Sequence, residues 1–386
     1  MILPRVYAKQ LNGTKAMSNN SNTENSKLRI LLVSPLPCKA SFGGIGTWTI
    51  RFVDALKQKQ NVEIKVVNSV PVDKNGKDIA RSKNIFKKYN CNVRVLKNIK
   101  RELKSFKPNV VHLNSSCTPF ACVRDNLFLK TIFKKHIPSI LHCRCNIEDQ
   151  INNNKVGLFF FKKNVRISSR ILALNKDSKL FVNNLCDLET KCFIVPNFLQ
   201  KNSVVDYKEI NKHIKNVSFV GHLVKQKGIE DIIFLAKEFP DLHFTLVCGY
   251  TEQYPNRSRF PQNVEITGNL PVAAVFQKLD KSDVFLLPTH SEGFSNALLE
   301  SMARGLPIIT TNVGANVDML ENKGGIIVDL KSHTQLKNAL VKIDDEHIRK
   351  EMSVWNIRKV KSSYTEDAVI NNILNIYYDL IGAKGN

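Results

Sequence analysis

Leu28-Arg-Ile-Leu-Leu-Val-Ser34 is a short apolar run, Ser41-Phe-Gly-Gly-Ile-Gly46 is a glycine-rich turn, and residues 47–57 set Trp48, Phe52, Val53 and Leu56 at helical spacing. A strand buried on both faces reads as a short, nearly continuous apolar run. The three pieces predict strand, glycine loop and helix, in that order. The alternation continues with strands at 62–67, 110–114, 139–142, 171–174 and 192–195, and helices at 95–106, 118–135 and 156–169. Such βα repetition implies a mostly parallel sheet with helices on both faces.

Residues 198–215 are polar and mixed, and read as a linker. The pattern then restarts, with strands at 217–221, 242–248, 264–267, 284–287, 307–310 and 325–328. Helices lie between them at 229–239, 271–281, 295–303 and 333–343. A final stripe of Val369, Ile373, Ile376, Tyr377 and Leu380 predicts a closing helix. The expected fold class is α/β, with two Rossmann-like doubly wound domains at 27–200 and 201–364. They face a central cleft, where ligands bind in such folds. Residues 18–26 can bury nothing, so 1–26 reads as a disordered tail, and Met17 is an alternative start to Met1.

The chain of 386 residues carries 57 Lys+Arg against 34 Asp+Glu, a formal net charge of +23. Residues 1–200 hold 35 basic and 12 acidic side chains, and residues 201–386 hold 22 of each. The whole excess therefore lies in the first half, which is expected to meet something anionic. No apolar run approaches the ~18–20 residues of a membrane span, and the start lacks the apolar core of a secretory signal. The nine cysteines include no Cys-x-x-Cys, and Cys143-Arg-Cys145 is too isolated for zinc. They read as buried thiols of a cytoplasmic protein.

The sharpest chemical signal is Pro288-Thr-His-Ser-Glu-Gly-Phe-Ser-Asn-Ala-Leu-Leu-Glu300, followed by Ser-Met-Ala-Arg-Gly-Leu-Pro307. A strand ends, a loop carries Glu292 and Gly293, and a helix opens near Ser295. The backbone N–H groups of Phe294, Ser295, Asn296 and Ala297 then sit at a helix N-terminus, where unpaired donors and the positive dipole end suit a phosphate. Gly293 is expected to let a ligand approach the backbone. Glu292 and Glu300 suit sugar hydroxyls, because a carboxylate accepts several hydrogen bonds. A second loop, Val220-Gly-His-Leu-Val-Lys-Gln-Lys-Gly-Ile229, sets His222, Lys225 and Lys227 at the cleft rim, with Lys227 as a point charge for a diphosphate. The Gly43-Gly44-Ile45-Gly46 turn matches neither a dinucleotide fingerprint nor a Walker A loop, so no nicotinamide or ATP site is expected. His112 and His142 lie at strand ends lining a sheet crevice, and His142 is the one expected to face substrate.

Together these segments resemble retaining glycosyltransferase family 4, with the GT-B fold. The Glu292 to Glu300 spacing matches the family's E-x7-E motif. The resemblance implies that the second domain binds a nucleotide-sugar donor, with Glu300 on the ribose. Glu292 and the backbone after Gly293 would contact the sugar and the diphosphate, and Lys227 would neutralise the leaving group. It implies that Gly43 and Gly44 close over the phosphates, with Gly221 and His222 also at the donor. His142 would lie near the reacting sugar, giving His142, Glu292 and Lys227 as the catalytic set. It implies an acceptor site in the first domain and a closing helix, 365–382, that packs back onto that domain. No cofactor or metal is implied, and a UDP-sugar is favoured over a GDP-sugar. His222 stands where the family often has Arg, and Asp318 where it usually has Glu. The acceptor would be a glycan or lipid-linked, in cell-surface polysaccharide or lipopolysaccharide synthesis. The basic first half, with Gly157-Leu-Phe-Phe-Phe-Lys-Lys163, adds an anionic membrane surface as an expected partner on the inner face of the plasma membrane. A sugar-nucleotide epimerase of the same fold stays open as an alternative. A nucleic-acid-binding protein is disfavoured, since no helix-turn-helix, zinc-finger or RNP pattern occurs.

Overall fold

The computed structural model describes residues 27–36, 44–70, 85–151, 153–186 and 191–382. The 1–26 tail, the choice of start and Gly43 lie outside these residues.

The first domain runs β1 (Leu28–Ser34), α1 (Gly44–Lys57), β2 (Val62–Asn68), α2 (Ile85–Ser105), β3 (Val110–Ser115), α3 (Pro119–Phe133), β4 (Ser139–Cys143), α4 (Ile147–Ile151), α5 (Lys155–Ile167), β5 (Arg170–Ala173), α6 (Lys176–Cys186) and β6 (Cys192–Ile194). Its six strands are parallel, in the order β2-β1-β3-β4-β5-β6. The second domain runs β7 (Asn216–Val220), α7 (Ile229–Glu238), β8 (His243–Val247), β9 (Val264–Ile266), α8 (Val272–Asp280), β10 (Val284–Leu287), α9 (Asn296–Ala303), β11 (Ile308–Thr311), α10 (Asn316–Leu320), β12 (Gly325–Val328), α11 (His333–Lys342) and α12 (Glu346–Ser363). Its strands are parallel in the order β12-β11-β10-β7-β8-β9. The winding reverses between β1 and β3 in one sheet and between β7 and β10 in the other. Ligands of open α/β sheets bind outside the carboxyl ends of the strands at such points.

The apolar runs that predicted the strands are buried on both sides. In the first sheet Leu31, Val33, Val111 and Leu113 pack with Phe128 and Leu129 of α3. Ile30, Leu32 and Val110 face the other way, onto Trp48 and Phe52 of α1. That second core also holds Val369, Ile370, Ile373 and Tyr377 of the last helix, α13 (Glu366–Leu380). Phe198 is buried in a first-domain core and Leu199 in the second-domain core. The boundary thus falls inside the expected linker, at one peptide. Both chain crossings between domains run side by side there: Leu199 N–H donates to the Tyr364 carbonyl and Glu366 N–H to the Leu199 carbonyl, each at 2.9 Å.

The structure departs from the expected elements at six helices. Helix α1 begins at Gly44, so half of the glycine turn is the helix's first turn. Helix α2 begins ten residues before the expected 95. Helices α4, α6, α10 and α12 were not anticipated. Helix α12 buries Arg349, Ser353 and Asn356, which break its apolar spacing. Carbonyl acceptors satisfy these polar groups: Arg349 donates to Ile343 and Asn211, and Asn356 to Leu306 and Gly324. Among the described residues, seven cysteines are free thiols and no helix is long and apolar enough to cross a membrane.

Candidate active site

Strand β10 ends at Leu287, and the chain crosses a loop to α9. Ser295 caps that helix, its Oγ accepting the Leu298 N–H at 3.2 Å. The first-turn N–H groups of α9 have no partner inside the helix. The start of α1 faces them across the cleft: a Cβ on Gly44 would lie 3.6 Å from Asn296 Nδ2. Two helix N-termini, one from each domain, therefore converge on a cavity of about 270 Å³. Gly44, Gly221, His222, Lys227, Glu292, Gly293, Phe294, Ser295, Asn296 and Ala297 line it. A larger hollow of about 660 Å³ lies along α12, away from both sheet crevices, and no helix N-terminus lines it.

Gly228 shapes the second-domain wall. Its φ of 73° is left-handed, and a Cβ there would sit 2.0 Å from the Pro288 carbonyl oxygen. Only glycine lets the loop after β7 press its backbone against the end of β10. That contact places Lys227 against Glu292, and the two form an ion pair. Lys225 does not line the cavity, and its N–H donates to Gln253 at 2.9 Å.

Glu300 is set behind the cavity, its Oε1 3.4 Å from Arg51 Nη2 on α1. Burial pushes its carboxyl upward, and the Arg51 charge opposes that shift. Both acids of the motif thus hold a cation, Glu292 within its domain and Glu300 across the cleft. The close neighbour at Gly293 is not open ligand space but first-domain backbone. A Cβ there would lie 2.8 Å from the Cys145 carbonyl carbon and 2.9 Å from Asn146 N. Asn175 Nδ2 donates to the Gly293 carbonyl at 2.8 Å, and Lys176 pairs with Asp318 at 2.9 Å. Asp318 is therefore a cross-domain anchor.

His142 does not face the cleft as expected. It is wholly buried, with both ring nitrogens engaged. Its Nε2 lies 2.9 Å from Arg144 Nη1 and its Nδ1 3.1 Å from His112 Nε2, while His112 Nδ1 lies 2.6 Å from Tyr377 Oη. A guanidinium can only donate, which makes His142 Nε2 an acceptor. His142 Nδ1–H then donates to His112, and His112 Nδ1–H to Tyr377. Burial, and then the Arg144 charge, hold both rings neutral, with His112 lowered to about 3. Among the described first-domain residues that line the cavity, with Ile45, Leu174 and Asn197, the charged side chain is Arg144. Its guanidinium lies 4.3 Å from the Trp48 ring centre and donates to Asn197 Oδ1 at 2.5 Å. Asn197 Nδ2 in turn donates to Asn296 Oδ1 at 2.7 Å. The sequence reading passed over Arg144 between two cysteines. The available signal was its place directly after a buried strand, at the crevice end of the sheet.

Residues 214–345 match the family model described as glycosyl transferases group 1. An uncharacterized glycosyltransferase of Methanocaldococcus jannaschii is 24% identical over 256 residues, 64% of this chain and 70% of that one. The Escherichia coli UDP-Gal:alpha-D-GlcNAc-diphosphoundecaprenol alpha-1,3-galactosyltransferase is 25% identical over 241 residues, 57% of this chain and 62% of that one. The solved structure of sucrose-phosphate synthase from Thermosynechococcus elongatus has a TM-score of 0.76, covering 93% of this chain and 100% of that one at 14% identity. Residues 214–345 thus match a glycosyl transferases group 1 model, within a chain that has the two-domain GT-B fold.

Proposed function

We propose that the chain is a retaining glycosyltransferase of family 4, moving a sugar from a nucleoside-diphosphate sugar to a glycan or lipid-linked acceptor. The observation that carries this is the convergence of two helix N-termini and Lys227 on one cavity beside Glu292 and Glu300. Glu300 would hold the ribose, Glu292 and the 293–297 backbone the sugar and diphosphate, and Lys227 the leaving charge. Fixed dipoles and cations of this kind stabilise a departing diphosphate without reorganising. The reading has turnover independent of a divalent ion, so activity is expected to survive EDTA; loss of activity that Mg²⁺ restores would count against it. A UDP-sugar is the favoured donor, a choice supported by the Escherichia coli relative, which is a UDP-Gal:alpha-D-GlcNAc-diphosphoundecaprenol galactosyltransferase.

The same proposal has the acceptor met at the inner face of the plasma membrane, in cell-surface polysaccharide or lipopolysaccharide synthesis. Val123, Leu127 and Phe133 of α3 and Val156 and Phe159 of α5 are exposed. Lys130, Lys155 and Arg166 on the same two helices and Lys134 just after α3 are exposed, and Lys163 Nζ lies 4.1 Å from the Phe159 ring centre. Of the three aromatics in the 157–163 segment only Phe159 is exposed, while Phe161 is core. Incubation with a panel of nucleotide sugars and lipid-diphosphate acceptors, with the product's anomeric configuration read by NMR, tests the function. Inversion removes the retaining assignment. Isomer exchange without transfer would favour the epimerase, which the family match does not.

A further inference from the structure

We propose that Arg144 is a diphosphate-binding residue supplied by the first domain, so that the donor's phosphates are fully neutralised only when the two domains meet. The inference rests on the nucleotide-sugar reading above.

Arg144 lines the cavity that α1 and α9 both address with their N-termini. Among the described residues it makes no ion pair with any carboxylate, and its Nε is buried without a hydrogen-bond partner. Its two other nitrogens bond neutral acceptors, His142 Nε2 and Asn197 Oδ1. The side chain is half-buried, and a partly desolvated guanidinium with only neutral partners lacks a counter-charge. Such a group is stabilised when an anion arrives, and a phosphate is the anion whose geometry suits its donor fork. The contrast with Lys227 is direct, since that ammonium already has Glu292 as its counter-charge. Among the described residues that line the cavity, Arg144 is therefore a positive charge without a carboxylate partner, and the cavity's remaining demand is for a negative group.

The surroundings hold the guanidinium in place. Trp48 supports its face, and the His142, His112 and Tyr377 chain ties it to α13. His142 acts as a positioning residue, because its Nε2 accepts from Arg144 and never reaches the cavity. Asn197 links the same guanidinium to Asn296 at the start of α9. Arg144 is thus aimed at the place where the α9 N-terminus would receive a phosphate.

His222 lines the opposite wall of the same cavity, and this gives a second-site test. Equilibrium binding of UDP to the full chain is measured by calorimetry for the unaltered protein, Arg144→Gln, Arg144→Lys and the double variant H222R/R144Q. Thermal midpoints are recorded alongside. Arg144→Gln is expected to weaken UDP about ten- to a hundredfold, the loss of a charged hydrogen bond. Arg144→Lys should fall between, and H222R/R144Q should recover much of the affinity by restoring a guanidinium from the other wall. Unchanged UDP affinity in Arg144→Gln overturns the proposal. So does a double variant that binds no better than Arg144→Gln, which would leave Arg144 a packing residue. If the unaltered chain binds none of UDP, GDP or ADP, the nucleotide-sugar reading itself falls, which is a distinguishable outcome.

Discussion

Lys227 and Glu292 are ion-paired inside a site built for an anion, so removing one partner exposes the other. Lys227→Ala leaves a carboxylate facing the phosphates. UDP affinity is expected to fall more than tenfold, and the double variant K227A/E292Q should regain part of the loss because the repulsion is gone. A double variant no better than Lys227→Ala would show that the pair does not share the donor pocket. Glu300 offers a pH test. Burial raises its carboxyl and Arg51 lowers it. In the proposed function an ionised Glu300 accepts ribose hydroxyls, so donor binding is expected to weaken as pH falls through its pKa. Arg51→Met removes the lowering cation, which moves that acid limb to higher pH. UDP affinity measured between pH 4 and 8 reads the shift, and an unmoved limb breaks the link between Arg51 and Glu300.

At the scale of elements, the loop before α9 is pinned by the first domain at Gly293. A methyl group there meets the Cys145 and Asn146 backbone, which has no rotamer to give way. Gly293→Ala is expected to cut turnover about a hundredfold through misplacement of the reacting groups, with the circular dichroism spectrum unchanged. Normal turnover would mean that this seam is not needed. The central strands were legible because each is a buried apolar run, as in β1, β3, β4 and β10, while β2 at the sheet edge showed as an alternation of apolar and charged residues. The loop between β10 and α9 was legible because a strand end, a glycine and a cap are local features. Helix α12 was not, because its inner face buys burial with Arg349 and Asn356 and satisfies them through carbonyls remote in sequence. Arg144 and the burial of His142 were hidden for a related reason. Which of two neighbouring residues on a strand end faces the cleft depends on Trp48, Tyr377 and Asn197, brought together only by the fold.

At the scale of the molecule, the charge asymmetry becomes a geometrical statement. The basic excess belongs to the half that also exposes apolar side chains on α3 and α5. Sedimentation with vesicles is expected to show binding to anionic but not zwitterionic lipid. Leu127→Ser with Phe159→Ser should weaken it more than about a hundredfold, each lost side chain removing about 1.5–3 kcal/mol of burial. Equal partition onto both lipids would remove the membrane from the acceptor side.

The two side-by-side crossings at Leu199 and Tyr364 to Glu366 have a mechanical meaning. Two cords tied together at one edge leave a pair of bodies the freedom of a door, a single swing about the line of the knot. The contacts farther from that line, from Arg51 with Glu300 to Lys176 with Asp318, then part or meet in one stroke. A chemical tether across any one of them would hold the whole doorway shut.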